Sequence, residues 1–207
     1  MPNPLRYLLL LLMVCALPLA GYAADPPPFA EGKDYVRLQT PVPPATPDKV
    51  EVIEMFWYGC PHCYDLEPVT QEWLKRKPEN VVFMRIPVAF GANWEPGARA
   101  YYAAEALGVL DQLHPALFEA FHKRRKLHTE DELATFFAEH GVDQDAFRKA
   151  YKSFQTETQL RRGHQLVQRY GVKGVPAIFV NGKYDVRSSR MFDVVDFLIA
   201  KEAQPQG

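Results

Sequence analysis

Two cysteines three positions apart, Cys60-Pro61-His62-Cys63, follow at once on the apolar run Val52-Ile53-Glu54-Met55-Phe56-Trp57-Tyr58. From Lys49 to Trp57 the chain is too apolar and too rich in β-formers for a solvated helix, and it reads as a strand buried on both faces. A helix is expected to open at the cysteines and run through Tyr64, Leu66, Val69 and Trp73 to just before Pro78. Pro68 should kink it, because a proline inside a helix removes one backbone bond. Val81 to Ile86 reads as a second central strand. Strand, helix, strand is a βαβ unit with a right-handed crossover. It sets the two thiols where a strand ends and a helix begins, the arrangement of thiol–disulfide exchange sites.

The remaining chain fits around that unit. Tyr35 to Leu38 reads as a short edge strand, and Pro41 to Pro47 as a stiff extended linker, since its four prolines fix φ and remove donors. Glu95 to about Tyr170 contains no strand pattern. Leu113, Leu117 and Phe121 recur at helical spacing, and Thr129 with Glu132 makes a capping box ahead of Leu133, Phe136 and Phe137. Gly141 can close that helix. Phe147, Tyr151 and Phe154 are expected to begin a further packing stripe, and another helix to run from about Thr158 to Tyr170, ended by Gly171. Asn181-Gly182 between two β-prone runs is a strong hairpin signal. A last helix buries Met191, Val194, Val195 and Leu198.

Residues 1–23 read as a secretory signal. Arg6 supplies the positive end, Tyr7 to Leu17 the apolar stretch, and Gly21 and Ala23 the small positions before cleavage after Ala23. The apolar stretch is shorter than the roughly 20 residues a spanning helix needs. Removing the signal takes one cation and no acid, leaving 23 Lys and Arg against 25 Asp and Glu. That balance gives no reason to expect nucleic-acid binding. Some 184 mature residues can bury a sizeable core without staples. A bond between Cys60 and Cys63 closes only a four-residue loop, worth about 2 kcal/mol of unfolded-chain restraint. In an exported chain such a pair reads as a working disulfide.

At a helix start, free amides and the helix dipole favour an anion, so the Cys60 thiolate should be stabilised. His62 can add a hydrogen bond or positive charge. A fall in the thiol pKa from roughly 8.5 to about 5 would stabilise the reduced form by about 2.7 kcal/mol at pH 7, or roughly 60 mV. Cys63, one turn inward, is the expected resolving thiol. Glu54 is a carboxylate within a buried strand, so its pKa should rise, and it is placed to relay protons to or from Cys63. No metal site is expected. Two thiolates and His62 fall one ligand short of a closed zinc set, and His114, His122, His128, His140 and His164 are scattered. No cofactor is implied either.

Glu54, the Cys60-Pro61-His62-Cys63 loop, the long helical segment and Gly174-Val175-Pro176 together resemble the DsbA family of periplasmic disulfide oxidases, over about residues 34–201. The resemblance implies an α/β thioredoxin-like fold with an inserted all-helical domain. The expected layout is an N-terminal segment and linker over 24–48, a first thioredoxin part over 49–93, the insertion over 94–157 and a second thioredoxin part over 158–207. It implies that Val175-Pro176 is a cis bond facing the dithiol and that Val175, Pro176 and His62 meet the substrate. Cys60 becomes the attacked sulfur, Cys63 its buried partner and Glu54 the buried acid, while Glu67 matches a further charged position. The family further implies a periplasmic monomer that oxidises reduced exported proteins and is reoxidised by a DsbB-like, quinone-coupled inner-membrane partner. Isomerases of the related type carry a separate dimerisation domain and a threonine before the cis proline, where this chain has Val175. A metal carrier is the remaining rival reading.

Overall fold

A computed structural model describes residues 28–46, 48–123 and 127–203. The signal segment 1–23 and Cys15 lie outside the described residues. The first strand, β1, is Tyr35–Arg37, and β2 is Val50–Phe56, buried along its whole length. Helix α1, Pro61–Arg76, follows four residues later and runs through Pro68. Strand β3, Val81–Pro87, pairs with β2 in parallel and completes the βαβ unit.

Five helices come next. They are α2 (Glu95–Ala106), α3 (Leu110–His122), α4 (Glu130–Glu139), α5 (Gln144–Tyr151) and α6 (Phe154–Arg169). The capping box forms as expected: Thr129 Oγ1 accepts from the Glu132 amide at 3.3 Å while Glu132 accepts from the Thr129 amide at 3.0 Å. Helix α6 departs from expectation. Ser153 caps it by accepting from the Thr156 amide at 3.1 Å, so it starts at Phe154 rather than near Thr158 and crosses residues 157 and 158 without a break. The chain turns at Lys152 and Ser153, so Phe154 does not continue the stripe of Phe147 and Tyr151, and it is 81% exposed.

Strands β4 (Ala177–Val180) and β5 (Tyr184–Val186) and helix α7 (Met191–Glu202) finish the chain. Asn181 and Gly182 both take positive φ, 51° and 62°, and the Lys183 amide donates to the Val180 carbonyl at 3.0 Å. The strands then pair Val180 with Tyr184, which leaves Lys183 in the turn. The five strands run β1-β5-β4-β2-β3, with only β2–β3 parallel. The buried strand β2 is therefore central, flanked by β3 and β4, while β1 and β3 form the two edges, so Val81–Pro87 is an edge strand rather than the second central strand expected. One face packs Trp73 of α1 with Phe192, Val195 and Leu198 of α7. Val167 and Tyr170 pack with Ile53, Met55 and Phe179 in a second cluster. A third core of helical side chains, including Leu113, Phe118, Leu133 and Phe137, extends to Phe56, Tyr58, Cys60 and Cys63. The dithiol thus sits where the sheet's central strand meets the helical segment.

Candidate active site

Cys60 is the N-cap of α1, with extended backbone and Pro61 at the first helical position. No acidic residue stands in the first turn to offset the helix dipole. The Cys63 amide donates to Cys60 Sγ at 3.2 Å. Both thiols are free; Cys60 is 6% exposed and Cys63 fully buried. The Cys63 side chain is the largest influence on Cys60, followed by burial, which opposes it, and then by the backbone amides of Cys63 and His62 and the His62 charge. The balance lowers the Cys60 thiol from 9.0 to about 6. Cys63 moves the opposite way, pushed up by the Cys60 side chain and by burial, with the Glu54 charge adding to the rise. One thiolate and one thiol is therefore the reduced state at neutral pH. A pKa of about 6 against 9.0 stabilises that state by about 1 kcal/mol at pH 7, on the order of tens of millivolts for a two-electron couple. The direction is the expected one and the gain is smaller. His62 is exposed and acts more through its backbone amide than through its ring.

Across from the dithiol, Val175-Pro176 is a cis peptide bond, and the Cys60 thiol lies 3.5 Å from the Val175 carbonyl oxygen. A cleft of about 810 Å³ leads from Val175 and Pro176 along Lys173, Arg187 and Met191. On another side Trp57 stacks on Trp94, 4.0 Å between centroids and 11° between planes. A Cβ on Gly59 would run into the Trp57 ring, so a glycine lets the chain turn from the tryptophan to the helix start. Cys60, Cys63, Val175 and Pro176 are thus brought together, with His62 at the solvent side.

Glu54 is 1% exposed. It faces Arg85 in the parallel register of β2 and β3, and Arg85 Nε donates to Glu54 Oε2 at 3.1 Å. Burial outweighs that arginine and raises the Glu54 carboxyl from 4.5 to about 7. The expected raised acid is present, with an arginine as its partner. Arg85 also donates to both Glu67 oxygens, at 3.2 and 2.9 Å, and Gln71 donates to Glu67 at 2.6 Å. Burial would raise Glu67, but His114 and Arg85 outweigh it and hold this carboxyl below its usual range. Sequence reasoning missed Arg85, His114 and Tyr58. An arginine inside an apolar strand was the available signal for Arg85; a lone histidine on a helix offered none.

A mixed sheet, a cysteine pair at a helix N-terminus and a cis proline facing it define a thioredoxin-fold dithiol oxidoreductase. Comparison with known proteins narrows the class. Residues 81–198 match the DSBA-like thioredoxin domain family. The chain is 42% identical to the thiol:disulfide interchange protein DsbA of Azotobacter vinelandii over 198 residues, 92% of each chain. The crystal structure of Pseudomonas aeruginosa DsbA superposes with a TM-score of 0.80 at 41% identity, covering 84% of this chain and 94% of that one. The oxidoreductase DsbA from Xylella fastidiosa gives 0.79 at 35% identity, covering 86% and 98%. This chain belongs to the DsbA family and is a thiol:disulfide oxidoreductase.

Proposed function

We propose that Cys60–Cys63 is the redox-active pair and that it donates its disulfide to reduced exported proteins in the periplasm. A substrate thiolate attacks Cys60 Sγ, the Cys60–Cys63 bond breaks, and Cys63 leaves with the electron pair. Glu54 gives Cys63 the proton that its raised pKa demands. A second substrate thiolate then attacks the substrate sulfur of the mixed disulfide and displaces Cys60 as a thiolate. Two electrons pass from substrate to enzyme, and the substrate leaves oxidised. Val175 and Pro176, with His62 at the rim, hold the extended substrate backbone against Cys60. Residues 94–157 form an inserted helical unit over the dithiol. Cleavage after Ala23 releases the protein, and a DsbB-like, quinone-coupled membrane partner takes the electrons to restore the disulfide.

The observation that carries this reading is the asymmetry of the pair. Cys60 is held down to about 6 beside the Val175 carbonyl, while buried Cys63 is pushed up. A stabilised thiolate leaves fast and makes the disulfide more oxidising. Redox equilibration of the mature protein in glutathione buffers tests it: a potential well above that of thioredoxin is expected, and one at or below it would replace the donor reading with a reductase. Cys60→Ser should abolish dithiol oxidation, whereas Cys63→Ser should accumulate mixed disulfides. Full activity without Cys60 would end the mechanism.

A further inference from the structure

The buried charge beneath the dithiol does not end at Glu67. Glu54 stands on β2, Arg85 on β3, Glu67 on α1 and His114 on α3, and His114 is 2% exposed. His114 Nδ1 lies 2.8 Å from the Tyr58 hydroxyl. His114 Nε2 lies 3.4 Å from Glu67 Oε2, within ion-pair range but without a hydrogen bond. Glu54 Oε1 is likewise buried without a hydrogen bond. The other groups facing the imidazole are Tyr101 from α2, Asp111 on its own helix, and the Phe56 and Phe118 rings. Both tyrosines are pushed well above their ordinary range by burial and stay neutral.

Counting charge over the cluster exposes a shortfall. Arg85 is a cation and Glu67 an anion. With Glu54 protonated and His114 neutral, the four groups sum to zero. Once Glu54 has given its proton to Cys63, they sum to one negative charge, in a place where uncompensated charge is costly. Two sites can take a proton back, Glu54 itself and His114.

We propose that His114 is the second proton-holding group of this site, sharing one proton with Glu54 and receiving it when the dithiol is reduced. As an imidazolium it presents Nε2–H to Glu67 and Nδ1–H to the Tyr58 oxygen, the two atoms already beside it. Two cations then face two anions, with Arg85 serving Glu54 and His114 serving Glu67. With both thiols free, burial first and the Arg85 charge with it hold the imidazole's proton affinity below its usual range, against Glu67 and Asp111, so the proton stays on His114 only when Glu54 is ionised and Arg85 is engaged by it. The proton enters from water in a groove of about 470 Å³, lined by Glu67, Gln71, Pro115 and Phe118. Per turnover the substrate dithiol releases two protons as it loses two electrons. One proton settles on Cys63 by way of Glu54; the uptake at His114 replaces it and reverses on reoxidation. His114 touches no sulfur, so it is a positioning residue acting through Glu54.

This inference rests on the reading of Cys60–Cys63 as the working dithiol with Glu54 as its acid. The test is a pH titration of the His114 ring by NMR on the mature protein, oxidised and then reduced. Reduction should raise the midpoint by roughly one pH unit, tenfold in proton affinity. His114→Gln should lose up to one proton per two electrons from the pH dependence of the redox equilibrium, with Tyr58→Phe keeping that proton at a shifted midpoint. A His114 midpoint equal in the two redox states overturns the inference, as does a His114→Gln variant with wild-type pH dependence. Oxidation of a dithiol peptide by the wild-type protein is run alongside. Its failure condemns the dithiol reading, whereas normal oxidation with a redox-blind His114 condemns this inference alone.

Discussion

Glu54→Gln removes an ionisation and little else, because the amide keeps an oxygen for Arg85 Nε. The carboxyl titrates at about 7 in the folded protein against 4.5 for an unperturbed glutamate. An acid whose folded pKa is raised penalises folding above the unfolded pKa, and the penalty grows until pH passes the folded value. By linkage it amounts to about 3 kcal/mol at pH 7, roughly half that at pH 5.5 and well under about 1 kcal/mol at pH 4.5. The glutamine variant carries none of it. Urea unfolding of both proteins at those three pH values should therefore show a variant more stable by that margin at neutrality, with the advantage closing on acidification. The same variant has no proton to give Cys63, so it should form mixed disulfides more slowly while gaining stability. A variant no more stable than wild type at pH 7, or one whose gain ignores pH, would refute the assignment of Glu54 as a buried acid held against its solvation.

Other perturbations probe separate parts of the fold. Cys63→Ala removes the largest influence holding the Cys60 thiolate, so absorbance titration near 240 nm should place the thiol above the wild-type value of about 6 yet below 9.0, because the Cys63 and His62 amides remain. An unchanged titration would show that the helix terminus acts alone. Gly171 and Gly182 both hold positive φ, 63° and 62°, but a Cβ on Gly171 meets open space while one on Gly182 meets the Val42 carbonyl. Alanine should cost about 1 kcal/mol at Gly171 and more than about 2 kcal/mol at Gly182, read from denaturation midpoints. Equal losses would mean that the Val42 backbone yields freely, despite its amide donating to the Gly182 carbonyl at 2.8 Å.

What the sequence discloses follows the range of the forces involved. Strand β2, the helix start at Cys60, the Thr129 capping box and the Asn181-Gly182 turn are each decided within a few neighbours, and each is legible. The start of α6 is also local, but its cap is Ser153 with Thr156 three residues on, a weaker pattern than a serine or threonine followed by glutamate. Reading Phe154 with Phe147 and Tyr151 assumed one continuous helix where the chain turns. The charge cluster is different in kind. Glu54 meets Arg85 only because β2 pairs with β3 in a register that sets residues 31 positions apart side by side. Glu67 joins because α1 crosses back over that pair, and His114 because α3 packs against α1. Glu54 could be flagged alone, since a carboxylate among buried strand residues advertises an unmet cost. Its partners cannot be, because an arginine in a half-buried strand or a histidine on a helix has many ordinary explanations. The sulfur chemistry is thus written in one tetrapeptide, whereas the protons it needs are handled by residues that only the closed tertiary structure brings together.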